Sequence, residues 1–492
     1  LFGFLRHHRH ELFDPPFQAE LAGLYHDSAK GQPPVPPAQL ALATILQAYT
    51  GVSDDEVIEA TTMDRRWQLV LDCLDCAHPP FSKGTLIAFR QRLIAHDLDR
   101  RLIERTVELV ARQGGFGSRQ LRAALDSSPL WGASRVEDTY NLLGHALRKA
   151  VGGLARQQGR GLADLAAAVA TPVLGGSSLK AALDLDWDDP AAREPALGVV
   201  LGGLNTVERW LTSQPERDDP GVQGSLAAAH QVVAQDIEAL PDGRVQLRRG
   251  VAKERRISLE DPEMRHGRKS RSQRVDGYKR HVLRDLDWGV VRAVGVTPAN
   301  APEASVTGAI VADLARQPVV LRELHIDRAY LSSPLVRERP PELAIFCKAW
   351  PVRNGERFPK TAFHSDWERG MIRCPHEVEV PFRPGGVVHF PAVACANCPL
   401  REGCTTSRRG RSVAIHPDER LLAELRQRQA TPLGRAKLRE RVAVEHSLAQ
   451  VGHWQGERSR YCGVRKNLFD LRRTAVVHNL HVLARLPEAQ AA

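Results

Sequence analysis

The chain has 492 residues, 42% of them hydrophobic, and carries 68 Lys and Arg against 58 Asp and Glu, a net charge of +10. That is enough apolar material for roughly two to four packed domains, and a basic excess of this size favours a polyanionic partner, nucleic acid foremost. No apolar run approaches the ~18 residues of a membrane-spanning helix, and Leu1-Phe2-Gly3-Phe4-Leu5 is too short for a secretory signal, so the eight cysteines read as reduced cytoplasmic thiols or metal ligands.

Residues 1–120 read as helical. Pro36-Pro37 opens an apolar-periodic stretch, and Ser53-Asp54-Asp55-Glu56 has the form of an N-cap with acids in the first turn. Residues 85–93 set Arg90 and Arg92 beside Leu86, Ile87 and Phe89, which suits a small DNA-binding bundle. Leu121-Arg122-Ala123-Ala124-Leu125 is a short apolar segment ending at Asp126. An Ala- and Leu-rich stretch follows to about 245, read as a helical insertion.

The pattern then changes. Tyr278 to Leu283 and Gly289 to Val296 read as strands joined by Asp285, Asp287 and Gly289. A helix is predicted over 304–314, and Leu321-Arg322-Glu323-Leu324-His325-Ile326 leads as a strand into Asp327. Strand, strand, helix, strand is the order of an α/β layer. Residues 340–415 are rich in Pro, Gly and Cys. Two helices are predicted over 418–429 and 434–451, and another over 471–486.

Asp126 and Asp327 each end an apolar run, and Glu445 sits on a basic helical segment. On that helix Val442, Leu448 and Ala449 can share the face of Glu445, which would turn the carboxylate toward the core. Two strand-borne aspartates and a helix-borne glutamate suit a site for two hard divalent cations, which take oxygen ligands and clamp both the attacking and leaving oxygens of a phosphodiester. The bland alternatives are a turn or N-cap role for either Asp and an exposed Arg441–Glu445 pair one helical turn apart.

A second constellation is Cys374, Cys395, Cys398 and Cys404, spaced C-x20-C-x2-C-x5-C, which suits a tetrahedral structural Zn²⁺. Its alternative is four free thiols. Cys73 and Cys76 read as buried helix thiols. Basic residues crowd two stretches. One holds Arg265, Arg268, Lys269, Arg271, Arg274, Lys279 and Arg280; the other holds Arg458, Arg460, Arg465, Lys466, Arg472 and Arg473 with Trp454 and Tyr461. Of these, Arg268, Lys269, Arg271, Lys279, Arg280, Arg458, Arg460, Arg465 and Lys466, together with Arg441, are the candidates for DNA phosphate contacts; the alternative is a solvated face.

These motifs, in this order, resemble bacterial insertion-sequence transposases of the DDE type. The resemblance rests on Asp126-Ser127-Ser128, then Asp261-Pro262-Glu263, Arg268-Lys269-Ser270 and Gly277-Tyr278-Lys279-Arg280-His281. It continues through Thr297-Pro298-Ala299-Asn300, His325-Ile326-Asp327-Arg328-Ala329-Tyr330 and Arg441-x3-Glu445. Tyr25-His26, Ser53 to Glu56 and Phe89-Arg90-Gln91-Arg92-Leu93 resemble the N-terminal region of the same group. Leu438 departs from the Tyr, and Gly452-His453 from the Lys, that such enzymes often carry around the glutamate. The resemblance implies an α/β, RNase H-like catalytic core with Asp126, Asp327 and Glu445 as the three catalytic acids holding Mg²⁺ or Mn²⁺. It also implies double-stranded DNA (transposon ends and target) as partner, a homo-oligomer on DNA, and a cytoplasmic, nucleoid-associated location.

The expected organisation is a DNA-binding helical domain over 1–120, core segments over 121–136 and 246–339, a helical insertion over 137–245, a β-rich zinc-binding insertion over 340–415, and C-terminal core helices over 416–492. The expected activity is transposon-end cleavage and strand transfer. The alternatives are a catalytically inactive DNA-binding derivative and a metal-dependent nuclease that joins nothing.

Overall fold

A computed structural model describes residues 1–25, 33–113, 120–176, 178–269 and 272–486. Arg271, with His26 and Ser270 of the motifs above, lies outside the described residues.

One mixed sheet organises the chain. Its strands are β1 (Gln120–Trp131), β2 (Arg265–Arg268), β3 (Arg274–Asp285), β4 (Val291–Pro298), β5 (Val320–Ile326) and β6 (Ala344–Phe346). β3 runs antiparallel to β1 on one edge and to β4 and β2 on the other. β1 is parallel to β5, and β5 to β6. The spatial order is therefore β4-β3-β1-β5-β6, with β2 extending β3's outer edge. Gly277 joins these pairings at φ +152, where a Cβ would strike the backbone of Leu130 and Gly132.

Side chains alternate across the sheet with the period of two that a strand imposes. Ala124, Val282 and Val294 face one core; Leu125, Leu283, Ala293, Leu324 and Ile326 face the other. The second face is covered by the helices Thr307–Leu314 and Glu419–Ala430. The first is covered by the helices Val442–Gln455 and Val464–Leu483.

The N-terminal helices do not stand apart. Leu40, Ile45, Phe89, Ile103 and Val110 belong to the same continuous apolar core as Val282, Val294, Val476 and Leu480. The helices Pro37–Thr50 and Asp54–Met63 begin where the prolines and Ser53 predict. Ser53 Oγ accepts from Glu56 N–H at 3.3 Å while Glu56 Oε2 accepts from Ser53 N–H at 2.7 Å. Cys73 and Cys76 lie half-buried in the turn after the helix Arg65–Leu71, not within a helix.

Between β1 and β2 the helices Thr139–Gln157 and Pro220–Asp236 build a separate apolar core. A short hairpin, Ile237–Ala239 with Val245–Leu247, closes this stretch where a helix was expected. Residues beyond β6 form a three-stranded and a two-stranded sheet around Phe363, Ile372, Phe382, Phe390, Val413 and Ile415. The single helix expected over 434–451 is two, Pro432–Glu440 and Val442–Gln455, broken at Arg441. No helix among the described residues is long and apolar enough to cross a membrane.

Two buried histidines give the core a pH dependence. His281 Nδ1 meets Tyr330 Oη at 2.8 Å and Nε2 meets Thr297 Oγ1 at 3.0 Å; His478 Nε2 meets the Gly289 carbonyl at 3.1 Å. Burial first, and the nearby Lys279 charge second, push His281 down from 6.5 to about 3. Burial pushes His478 down to about 4. The unfolded chain takes up these protons near pH 6.5 and the folded chain does not, so the stability they support is complete above that pH and is lost as pH falls below it. The unfolding free energy from urea titration is expected to fall steadily from pH 7 to pH 5, by up to about 1.4 kcal/mol per pH unit for each histidine. A flat profile over that window would show that both sites admit the proton.

Candidate active site

The register of β1 and β5 sets the centre of the site. Leu125 pairs with Ile326 as the last pair of the parallel ladder, so Asp126, in the middle of β1 where it parts from β5, and Asp327, just past the end of β5, follow side by side, roughly one inter-strand spacing of 4.8 Å apart at the backbone. Alternation turns both toward the helix-covered face that Ala124 and His325 also face. Asp126 Oδ1 accepts from Ser127 N–H at 2.8 Å. Asp327 caps the short 3-10 turn Arg328–Tyr330, its Oδ1 accepting from Arg328 N–H at 2.7 Å.

Glu445 comes over this pair from the helix Val442–Gln455. That helix buries Val444, Ser447, Leu448 and Val451, whereas Val442 and Ala449 are exposed. The apolar face predicted to carry Glu445 inward is therefore offset from it. Glu445, 47% exposed, opens into a cleft rather than into the core. The cleft, about 890 Å³, is lined by Asp126, Asp327, Glu445, Glu303, Lys279 and Arg441 among others.

Arg441 connects the acids. Its Nη1 donates to Asp126 Oδ2 and its Nη2 to Glu445 Oε1, the latter at 2.6 Å. Burial raises the Asp126 carboxyl above the usual carboxylate range. Arg441 and the Ser127 N–H oppose this, while the charges of Asp327 and Glu445 add to it. Three acids thus share one field, with a guanidinium between two of them.

Glu303 is a further acid of the cleft, one with no sequence motif of its own. It lies three residues beyond the Thr297-Pro298-Ala299-Asn300 turn, and its Oε1 accepts from Ser127 Oγ at 2.9 Å, next to Asp126. Lys279 Nζ is 3.9 Å from Glu303 and donates to the Ala301 carbonyl at 2.9 Å. Desolvation lowers the Lys279 pKa, with Glu303 opposing it.

The candidate DNA contacts divide by environment. Arg268 and Lys269 are exposed at the cleft wall, and Lys279 lines it half-buried. Arg458 and Lys466 are exposed. Arg280 is buried instead. Its guanidinium donates to Ser128 Oγ, Gln455 Oε1 and the Gly456 carbonyl, and fills the space that Gly452 leaves by lacking a Cβ. Arg465 is turned onto Asp99 and the Ile94 carbonyl, and Arg472 and Arg473 onto Asp97, Asp99 and Asp470. Arg460 donates to the carbonyls of Gly51 and Val52. Arg460, Arg465 and Arg472 tie the C-terminal segment to the N-terminal helices through acids and carbonyls distant in sequence, and Arg473 does so through Gln47 Oε1.

The four cysteines Cys374, Cys395, Cys398 and Cys404 line one small cavity of about 30 Å³. Burial raises the Cys404 thiol, Arg411 opposes it, and the other three thiols add to it. Arg411 N–H donates to Cys395 Sγ at 3.5 Å. Among the described residues, the one set of three or more His, Cys, Asp or Glu whose ligand atoms all lie within 4.8 Å is Glu323, His325 and Glu440. Neither the cysteines nor the three cleft acids meet that spacing. The Glu323 set is already neutralised: Lys437 Nζ is 3.0 Å from Glu323 and 3.6 Å from Glu440, and Arg122 pairs with both. It works as an ionic clasp holding the helix Pro432–Glu440 to β1 and β5, one residue before Arg441.

Residues 4–92 match the family described as a transposase domain (DUF772), and residues 383–484 match the family described as a transposase DDE domain. No curated protein and no solved structure matches the chain. The second match contains Arg441 and Glu445, and the two flank the strands that carry Asp126 and Asp327. Two transposase-family matches, one ahead of the strands of Asp126 and Asp327 and one containing the helix of Glu445, with the three acids opening into one basic-walled cleft, are consistent with an insertion-sequence DDE transposase.

Proposed function

We propose that the chain is a DNA transposase that cuts transposon ends and joins the freed 3′-hydroxyl to target DNA on an RNase H-like core. The observation that carries this reading is the parallel register Leu125–Ile326, which sets Asp126 beside Asp327 under the helix of Glu445. The strand order β4-β3-β1-β5-β6, antiparallel on one side of β1 and parallel on the other, supports the RNase H-like assignment.

The three acids offer only carboxylate oxygens, the chemistry that Mg²⁺ or Mn²⁺ requires. Asp126, Asp327 and Glu445 would hold the ions. When bound, such ions supply the Lewis acidity that activates an attacking oxygen and stabilises a leaving one. The chain's own part is positioning and charge. Arg268, Lys269 and Lys279 bind backbone phosphates, and Arg280 locks β3 to the end of the glutamate helix. Arg458 and Lys466 extend the basic surface.

Incubating the purified chain and Mg²⁺ with duplexes made from the DNA that flanks its coding region tests the proposal. End cleavage followed by joining is expected. Cleavage without joining would leave a nuclease, and binding without cleavage an inactive DNA-binding derivative.

Four thiols around one cavity also fit a structural Zn²⁺, with Cys374, Cys395, Cys398 and Cys404 as the ligands that would draw together around it. The apolar cluster of that segment is small, so an ion would contribute folding free energy directly. Cys398→Ser is expected to cut zinc content from about one per chain to well under half, and to lower the melting temperature of the segment. Elemental analysis of chelator-free protein showing no zinc in the parent would reject the site.

A further inference from the structure

We propose that Arg441 is a displaceable cation that competes with a divalent ion for Asp126 and Glu445, and that DNA phosphate relieves the competition by drawing the guanidinium away. The inference rests on the metal-site reading given under Proposed function.

Both oxygens of Asp126 are engaged. Oδ1 holds the Ser127 N–H at 2.8 Å, and Oδ2 holds Arg441 Nη1. Glu445 Oε1 holds Arg441 Nη2 at 2.6 Å. An ion drawing on Asp126 Oδ2 and Glu445 Oε1 would therefore meet the two edges of one guanidinium. Like charges in contact with the same carboxylates repel, so ion and guanidinium cannot both stay there at full strength.

Arg441 is also placed to leave. It stands at the break between the helices Pro432–Glu440 and Val442–Gln455, with its side chain 29% exposed on the cleft that Arg268, Lys269 and Lys279 also line. The fork that grips two carboxylates grips a phosphate equally well. The ionic clasp of Glu323 and Glu440 with Lys437 and Arg122 fixes the backbone just before it, so the motion belongs to the side chain. Binding linkage is reciprocal: if DNA draws Arg441 off the acids and raises ion affinity, the ion raises DNA affinity by the same factor. The cleft would then load its ions chiefly when DNA is present.

The test is Mn²⁺ titration of the full chain, followed by electron paramagnetic resonance of free Mn²⁺, with and without a short duplex. In the parent, duplex is expected to tighten Mn²⁺ binding by about tenfold. Arg441→Gln is expected to bind Mn²⁺ about tenfold more tightly than the parent without DNA, and to change by less than about twofold when duplex is added. Arg441→Lys keeps the charge and loses the fork, so it should fall between the two and serves if the Gln variant does not fold. Equal or weaker DNA-free affinity in both variants, with the duplex effect unchanged, overturns the proposal while leaving the metal site standing. Asp126→Asn separates the two ideas: it should abolish tight Mn²⁺ binding, and if it binds as the parent does, the metal-site reading fails and this proposal with it.

Discussion

Asp327→Asn is expected to reduce end cleavage by on the order of 10³-fold or more while leaving duplex binding, measured without divalent ion, within about twofold. The substitution removes one charge and almost no volume. Asn is as good a cap as Asp, so the 3-10 turn Arg328–Tyr330 that Asp327 caps should persist. Asp327 is exposed, so no buried group is orphaned. What is lost is an anionic oxygen beside Asp126, and with it ion affinity. Each 1.4 kcal/mol lost from transition-state stabilisation costs about tenfold in rate, and an ion supplies several such increments. Binding to DNA depends instead on Arg268, Lys269 and Lys279, and should weaken steeply with salt in parent and variant alike. Gel-shift and cleavage assays on one duplex separate the effects. Cleavage by Asp327→Asn at the parental rate would remove Asp327 from the chemistry.

The parts of the site that were legible in the sequence were those set by local pattern. Asp126 and Asp327 each end a short apolar run, which is visible without tertiary information; Asp327 does follow the end of its strand, whereas β1 runs on past Asp126 to Trp131 because Ser127 to Trp131 keep their pairing with β3. The register that makes the two aspartates neighbours was not, because it depends on β1 pairing with β5 about two hundred residues later. Glu445 was readable as helical, but its face was misjudged. Within the helix Val442–Gln455 the buried side runs through Val444, Ser447, Leu448 and Val451, and the small apolar residues Val442 and Ala449 that suggested an inward Glu445 face solvent instead, so apolar identity alone gave the wrong side. The basic clusters failed for a different reason. A run such as Arg465 to Arg473 looks like a solvated or DNA-facing surface until its acids are known, and Asp97 and Asp99 lie more than three hundred and fifty positions away. Glu303 was missed because one acid in a polar turn has no local signal; its contact with Ser127 supplies one.

Asp470→Leu is expected to destabilise the folded chain by about 3–5 kcal/mol, the largest loss of stability foreseen for a substitution outside the cleft. Arg473 is 1% exposed on the helix Val464–Leu483, and both Nε and Nη2 donate to Asp470 Oδ1, at 2.8 and 2.6 Å. Its Nη1 donates to Gln47 Oε1 at 2.7 Å, and the same oxygen accepts from Arg90, which pairs with Asp54. The network therefore joins the C-terminal helix to the helices Pro37–Thr50, Asp54–Met63 and Lys83–Ala95. Removing Asp470 leaves a buried guanidinium with an amide oxygen and the rings of Tyr461 and Phe469 but no hydrogen-bonded acid, whereas removing both charges leaves an apolar contact that costs much less. The double variant Asp470→Leu with Arg473→Met should thus recover at least about half of the loss. The unfolding midpoint in urea, with hydrogen exchange of the Pro37–Thr50 helix as a local probe, measures both. If the single variant loses under about 1 kcal/mol, the guanidinium has found water or another acid, and the N-terminal helices are not held to the core by this charge. If the loss is large and the double variant recovers it, then the segment that the sequence presents as a basic DNA-facing arm is, over Arg465 to Arg473, the internal fastening between the two ends of the chain.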